Sequence, residues 1–142
     1  MIEGSCLCGA VRFRIRRAVG PLELCHCSRC RKAGGAGALA GLLVAAQDFE
    51  WIAGRESIRT WEAPLLEAPP LWRHCFCGRC GATTPDPSST GDAIEIPAGL
   101  LDGDPGNRPD RHIFVEHAVP WLPIADDLPQ LDAAAVRRLR SA

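Results

Sequence analysis

Eight cysteines in 142 residues, gathered into three short clusters, constrain this chain more than any other feature. They stand as Cys6 and Cys8; Cys25, Cys27 and Cys30; and Cys75, Cys77 and Cys80. Clusters of this kind serve either as a disulfide framework or as metal ligands, and the redox compartment separates the two. The opening residues, MIEGSCLCGAVRF, lack the charged leader and apolar stretch of a secretory signal. The expectation is a cytoplasmic protein whose reducing surroundings favour bound metal over disulfides.

Spacing then sorts the sulfurs. In an extended strand, residues i and i+2 share a face, so Cys6 and Cys8 can present sulfur to one ion. In CGRCG, Gly78 and Gly81 permit the backbone bend that turns Cys77 and Cys80 toward one metal. Together Cys6, Cys8, Cys77 and Cys80 make a closed tetrahedral set of the structural zinc type. Cys25, Cys27 and Cys30 are left over. Three protein ligands with a fourth position for water or substrate are the pattern of a catalytic zinc. Soft thiolate donors suit exchange of another thiolate, which points to a thiol substrate. The alternative is a second structural site completed by His26, His74, His112 or His117. His26, between two ligand cysteines in extended backbone, would point away from the metal and bond locally. Cys75 reads as a buried strand thiol.

Charge excludes other classes. Sixteen basic residues face 17 acidic ones, which argues against nucleic acid or an anionic membrane as the main partner. The longest uncharged run, residues 33–47, is shorter than the roughly 20 residues that span a bilayer. Fourteen glycines and 12 prolines spread along the chain leave few windows for a long helix, so a mostly β domain is expected. Residues 10–17 alternate Val11, Phe13 and Ile15 with arginines, the period of a half-buried strand. Residues 36–46 fit a buried strand or a buried helix, with strand favoured. Further strands are expected around Phe49 and Trp51, around Ile58 and Trp61 after a turn at Ala53-Gly54, and over residues 71–77, 93–97 and 112–117. Residues 63–70 read as an excursion, and 86–92 and 102–110 as loops. SRCRKA suits one helical turn capped by Ser28 and stopped by Gly34-Gly35, and residues 132–140 have helical composition.

Several stretches together resemble one family. GSCLCGAVRF at 4–13, CHCSRCRKAGG at 25–35, FCGRCGA at 76–82, IPAGLLD at 96–102 and HIFVEHAVPWLPIADDLPQL at 112–131 are similar, in order and spacing, to the glutathione-dependent formaldehyde-activating enzymes, the GFA or CENP-V/GFA domain. The resemblance implies a mainly β, Mss4-like sandwich or barrel-like fold in a single domain, residues 1–142, with a core of about 3–131 and a tail at 132–142. It implies two zinc ions, a structural one at Cys6, Cys8, Cys77 and Cys80 and a second, catalytic one at Cys25, Cys27 and Cys30. The implied activity is that of a carbon-sulfur lyase handling a thiol-aldehyde adduct such as S-hydroxymethylglutathione, with glutathione and formaldehyde as small-molecule partners. A substrate thiol would lose its proton at the second metal and attack an aldehyde carbon. Arg29, Arg31 and Lys32 lie beside that site, with Arg31 and Lys32 the candidates for substrate carboxylates against the plainer reading of a solvated turn. Trp121 is equally a core anchor or a substrate wall. The competing function is a noncatalytic zinc-binding interaction module on the same fold.

Overall fold

Short alternating strands joined by glycine turns dominate the computed structural model, which describes residues 1–64 and 72–141. In chain order the elements are β1 (Ile2–Ser5), β2 (Arg12–Ile15), β3 (Leu22–Cys25), α1 (Ser28–Gly34), β4 (Leu39–Ala45), β5 (Phe49–Ala53), β6 (Ile58–Glu62), β7 (Arg73–Cys77), β8 (Ala93–Pro97), β9 (Arg111–Ile113), β10 (Gln130–Leu131) and α2 (Ala133–Arg140). They form a three-stranded sheet, β1-β2-β5, a five-stranded sheet, β10-β9-β3-β4-β8, and the β6-β7 hairpin. The fold is mainly β, as expected, and the sheets do not close into a barrel.

The five-stranded sheet places the chemistry because its two faces differ. One face buries Leu22, Leu42, Val44, Ile94 and Ile96 against Phe13 and Ile15 of β2. Phe13 is fully buried, stacked on Phe49 at 5.4 Å and edge-on to Trp51 at 6.4 Å. Burying each such side chain stabilises the fold by about 1.5–3 kcal/mol. The opposite face carries Cys25 and Ile113, covered by Val136 of α2 and by Cys30. A third cluster joins Cys6, Val11 and Cys77.

The expected strand at residues 36–46 is β4, and the expected pair at Phe49 and Ile58 is β5 and β6. Between them Gly54 has φ 77°, and a β-carbon there would strike the Ala10 carbonyl. Three expectations need correction. The strand expected at 112–117 stops at Ile113, because Phe114 adopts a left-handed conformation (φ 55°) and opens a single 3-10 turn over Val115–His117. Helix α1 is capped by the Cys27 sulfur, not by Ser28, and ends at Gly35 with φ 64°. Cys6 and Cys8 lie in a turn after β1 rather than in a strand. Of the excursion at 63–70, residues 65–70 lie outside the described residues, as does Leu71. Asp132 caps α2 by accepting from the Ala135 N–H at 2.8 Å. Among the described residues no helix is long and apolar enough to cross a membrane.

Candidate metal centres

Two similar turns build the first centre. After β1 the Gly9 N–H donates to the Cys6 carbonyl at 3.1 Å, closing a tight turn that throws the Cys6 and Cys8 sulfurs together at 3.6 Å. After β7 the Gly81 N–H donates to the Cys77 carbonyl at 2.8 Å, and Gly81 takes φ 77°. Gly78 is needed for a different reason: a β-carbon there would stand 2.8 Å from the Ser57 carbonyl. The turns face each other, with Cys8 and Cys77 sulfurs 3.9 Å apart and all four sulfurs within 4.8 Å of one another.

This set fits zinc. A tetrahedron with metal-sulfur bonds of about 2.3 Å has edges near 3.8 Å, matching the 3.6 and 3.9 Å seen. Backbone N–H groups point at the sulfurs, from Val11 to Cys6 at 3.2 Å and from Arg79 to Cys77 at 3.4 Å, and would support thiolate charge. The backbone N–H of Ala82, with neighbouring thiols, lowers the Cys80 thiol to about 6. Cys75, two residues before Cys77, points elsewhere: it is buried, near the Thr60 hydroxyl at 3.5 Å, and burial raises its pKa.

The second cluster spans the end of β3 and the start of α1. Cys25, Cys27 and Cys30 hold their sulfurs within 4.8 Å of one another, which fits three ligands to one ion. Cys25 and Cys30 are each 8% exposed, and Cys27 is half-buried. The Cys30 N–H donates to the Cys27 sulfur at 3.4 Å, and with the neighbouring Cys25 and Cys30 sulfurs it holds the Cys27 pKa down, while the same closeness raises those of Cys25 and Cys30. None of the eight cysteines is in a disulfide.

None of the four candidate histidines joins that cluster. His26 points away from the sulfurs, as expected, but its partner is long-range. His112 Nε2 lies 3.0 Å from both Asp126 carboxylate oxygens, so it carries the proton and its Nδ1 accepts from His26 Nε2 at 2.8 Å. His26 Nδ1 is then a bare acceptor, buried with no partner among the described residues. Both rings are buried, at 3% and 4% exposure. Burial, then the adjacent His112, lowers the His26 pKa, and the hydrogen bond from His112 lowers that of Asp126. Asp126 is itself exposed, and nothing in the sequence marks it as the partner of His112. His74 stacks between Trp72 and Phe76, and His117 is exposed.

The flanking cations are placed as follows. Arg29 donates to the Pro64 carbonyl at 2.6 Å, Arg31 to the His26 carbonyl at 3.3 Å, and Lys32 is exposed. Trp121 is 69% exposed, so it does not anchor the core. Glu116 accepts from the Ala133 N–H at 3.0 Å and steadies the start of α2.

A family model described as glutathione-dependent formaldehyde-activating enzyme matches residues 1–117. The chain belongs to this family. A Halomonas elongata protein named "Putative glutathione-dependent formaldehyde-activating enzyme" is 32% identical over 128 residues, covering 87% of this chain and 81% of that protein. The crystal structure of a Rhodobacter sphaeroides protein matches in fold with a TM-score of 0.53 at 22% identity, covering 72% of this chain and 89% of that one. The span matched by the formaldehyde-activating family model contains both cysteine clusters, His26 and His112, while Asp126 and α2 lie beyond it.

Proposed function

We propose that this protein is a zinc-dependent carbon-sulfur lyase of the formaldehyde-activating type, interconverting a thiol-aldehyde adduct such as S-hydroxymethylglutathione with its thiol and aldehyde. The observation that carries the proposal is the three-sulfur cluster. Among the described residues it holds Cys25, Cys27 and Cys30 and no fourth protein donor, next to a complete four-sulfur set. Zinc held by Cys25, Cys27 and Cys30 would supply a centre that lowers the pKa of a substrate thiol and fixes its sulfur. Cys6, Cys8, Cys77 and Cys80 would hold a structural zinc.

The chain's own groups prepare that place. The Cys30 N–H donates to the Cys27 sulfur at 3.4 Å and would support its thiolate as a ligand. The backbone of His26 is pinned on both sides: its N–H donates to the Ile113 carbonyl at 3.0 Å, and its carbonyl accepts from Arg31. Its ring is held by His112 and Asp126. These bonds restrain the two-residue separation between Cys25 and Cys27. Arg31 and Lys32, in the last turn of α1, would attract a substrate carboxylate.

Formaldehyde-dependent loss of free glutathione, followed by thiol titration and by NMR of the hydroxymethyl product, tests the proposal. Wild type should accelerate adduct formation and breakdown alike, and Cys27→Ser should lose at least about a hundredfold of that rate. Equal rates in the two proteins would show that the cluster has no part in the chemistry.

A further inference from the structure

The sheet face that carries Cys25 also carries a groove which the chemistry above leaves unused. It has a volume of about 300 Å³, and Glu23, Gly41, Glu95 and Arg111 of the sheet and Leu139 and Arg140 of α2 line it. Its position follows from register. Cys25 pairs with Leu39 and Glu23 pairs with Gly41, so the groove begins two residues, about 7 Å, along the sheet from the three-sulfur cluster.

The charges in it are unevenly matched. Glu23 serves two cations at once, Arg111 Nε at 2.9 Å and Arg140 Nη2 at 3.1 Å. Glu95, across the groove on β8, has no hydrogen-bond or ion-pair partner among the described residues. Solvent reaches it, yet the surrounding walls desolvate its carboxylate and raise its pKa, with Arg140 opposing. Room for that carboxylate depends on Gly41, where a β-carbon would stand 2.5 Å from Glu95 Oε1. The groove thus offers one carboxylate without a cation, Glu95, and the exposed Arg140 guanidinium, of which Glu23 takes one nitrogen, while Arg111 is held by Glu23 and, at 3.3 Å, by Asp110. Its complement is a zwitterion.

We propose that this groove receives the α-amino-acid end of the thiol substrate, Glu95 taking the ammonium and Arg140, beside Arg111, the carboxylate. This rests on the reading of the neighbouring cluster as the place of the substrate sulfur. Charge-assisted bonds to both groups would select an amino-acid-bearing thiol over a simple one. Arg140 and Leu139 of the groove wall come from α2, beyond the residues that the family model matches, whereas Glu95, Glu23 and Arg111 lie within them.

The test is calorimetric titration of the zinc-loaded full chain with S-methylglutathione, whose sulfur has no proton to lose, and with its analogue lacking the γ-glutamyl amino group. Wild type should bind the first about tenfold more tightly. Glu95→Gln, which keeps the side-chain shape, should abolish that preference, and Arg140→Ala should weaken both ligands. No binding, no preference in wild type, or a preference that survives in Glu95→Gln overturns the proposal. Wild-type turnover of glutathione with formaldehyde, compared with that of Cys27→Ser, reports on the thiol chemistry. Turnover without the amino-group preference refutes the groove and spares the lyase reading; the preference without turnover does the reverse.

Discussion

Cys8 and Cys77 bring their sulfurs within 3.9 Å across 69 residues of chain, whereas Cys25, Cys27 and Cys30 come from one segment of six. The donor atoms are the same, and the consequences for the fold are opposite. Closing a long loop removes conformational freedom that only the folded chain can recover, so an ion at the four-sulfur set stabilises the whole domain. An ion at the three-sulfur set orders a segment that β3, β9 and α1 already hold, through Cys25 on Ile113 and the Cys27 cap. On the proposed reading, one centre would hold the protein together and the other would be reached by substrate.

The sharpest way to break this comparison is to remove the long-range set. Cys77→Ser, or stripping that ion with a chelator, should unfold the domain at 37 °C. Structural zinc contributes about 10–16 kcal/mol in small domains, as much as the whole stability of a typical one. Circular dichroism during chelator titration checks this, and cooperative unfolding should coincide with loss of the last ion. Cys27→Ser should instead bind one ion fewer while losing no more than about 2 kcal/mol of global stability, the scale of one altered buried contact. Urea unfolding with metal analysis separates the two variants.

A third, smaller effect belongs to the array behind the local cluster. Asp126→Ala removes the acceptor for buried His112 and should cost about 1–3 kcal/mol. Its effect on metal should be confined to the three-sulfur set, seen as faster zinc release to a colorimetric chelator in one of two kinetic phases. Faster release in both phases would show that the two centres are not independent.

The smallest effect expected is a pH dependence on the long-range side. Burial holds the His74 imidazole below its ordinary pKa of 6.5, in the β7 strand that ends at Cys77. As pH falls through 6.5 the unfolded chain takes up a proton that the folded one refuses, so stability declines on acidification until the lower folded pKa is passed. His74→Phe keeps the stacking position between Trp72 and Phe76 and should flatten the pH dependence of Tm between 7 and about 5.

The difference between the two centres also explains what could be read from sequence. C-x-C and C-x-x-C are local signals whose geometry is nearly fixed by backbone dimensions, so the division of seven sulfurs into a set of four and a set of three was accessible at once. The alternation of Val11, Phe13 and Ile15 likewise marked β2. Misreadings fell where an outcome depends on distant pairing. His26 meets His112 across 86 residues because β3 and β9 run parallel, a connection that no local window shows. The strand at HIFVEH ends early because Phe114 turns left-handed, a conformation rare for a bulky residue and without a local sequence signal. Cys6 and Cys8 satisfy both a strand and a turn by spacing, and only Gly9 hinted at the turn. The groove of Glu23, Glu95 and Arg140 requires four strands and the C-terminal helix to assemble.

The most direct test of the central claim, one closed centre and one open, is a thiol titration of the cobalt-substituted protein followed by visible absorption. Cobalt in sulfur-rich tetrahedral sites reports its ligand set through its d–d bands. Two cobalt ions per chain should bind. Added glutathione should shift the bands of one ion only, and Cys27→Ser should retain one ion and show no shift. Two ions that both ignore the thiol, in wild type as in Cys27→Ser, would contradict the account and leave two structural centres in its place.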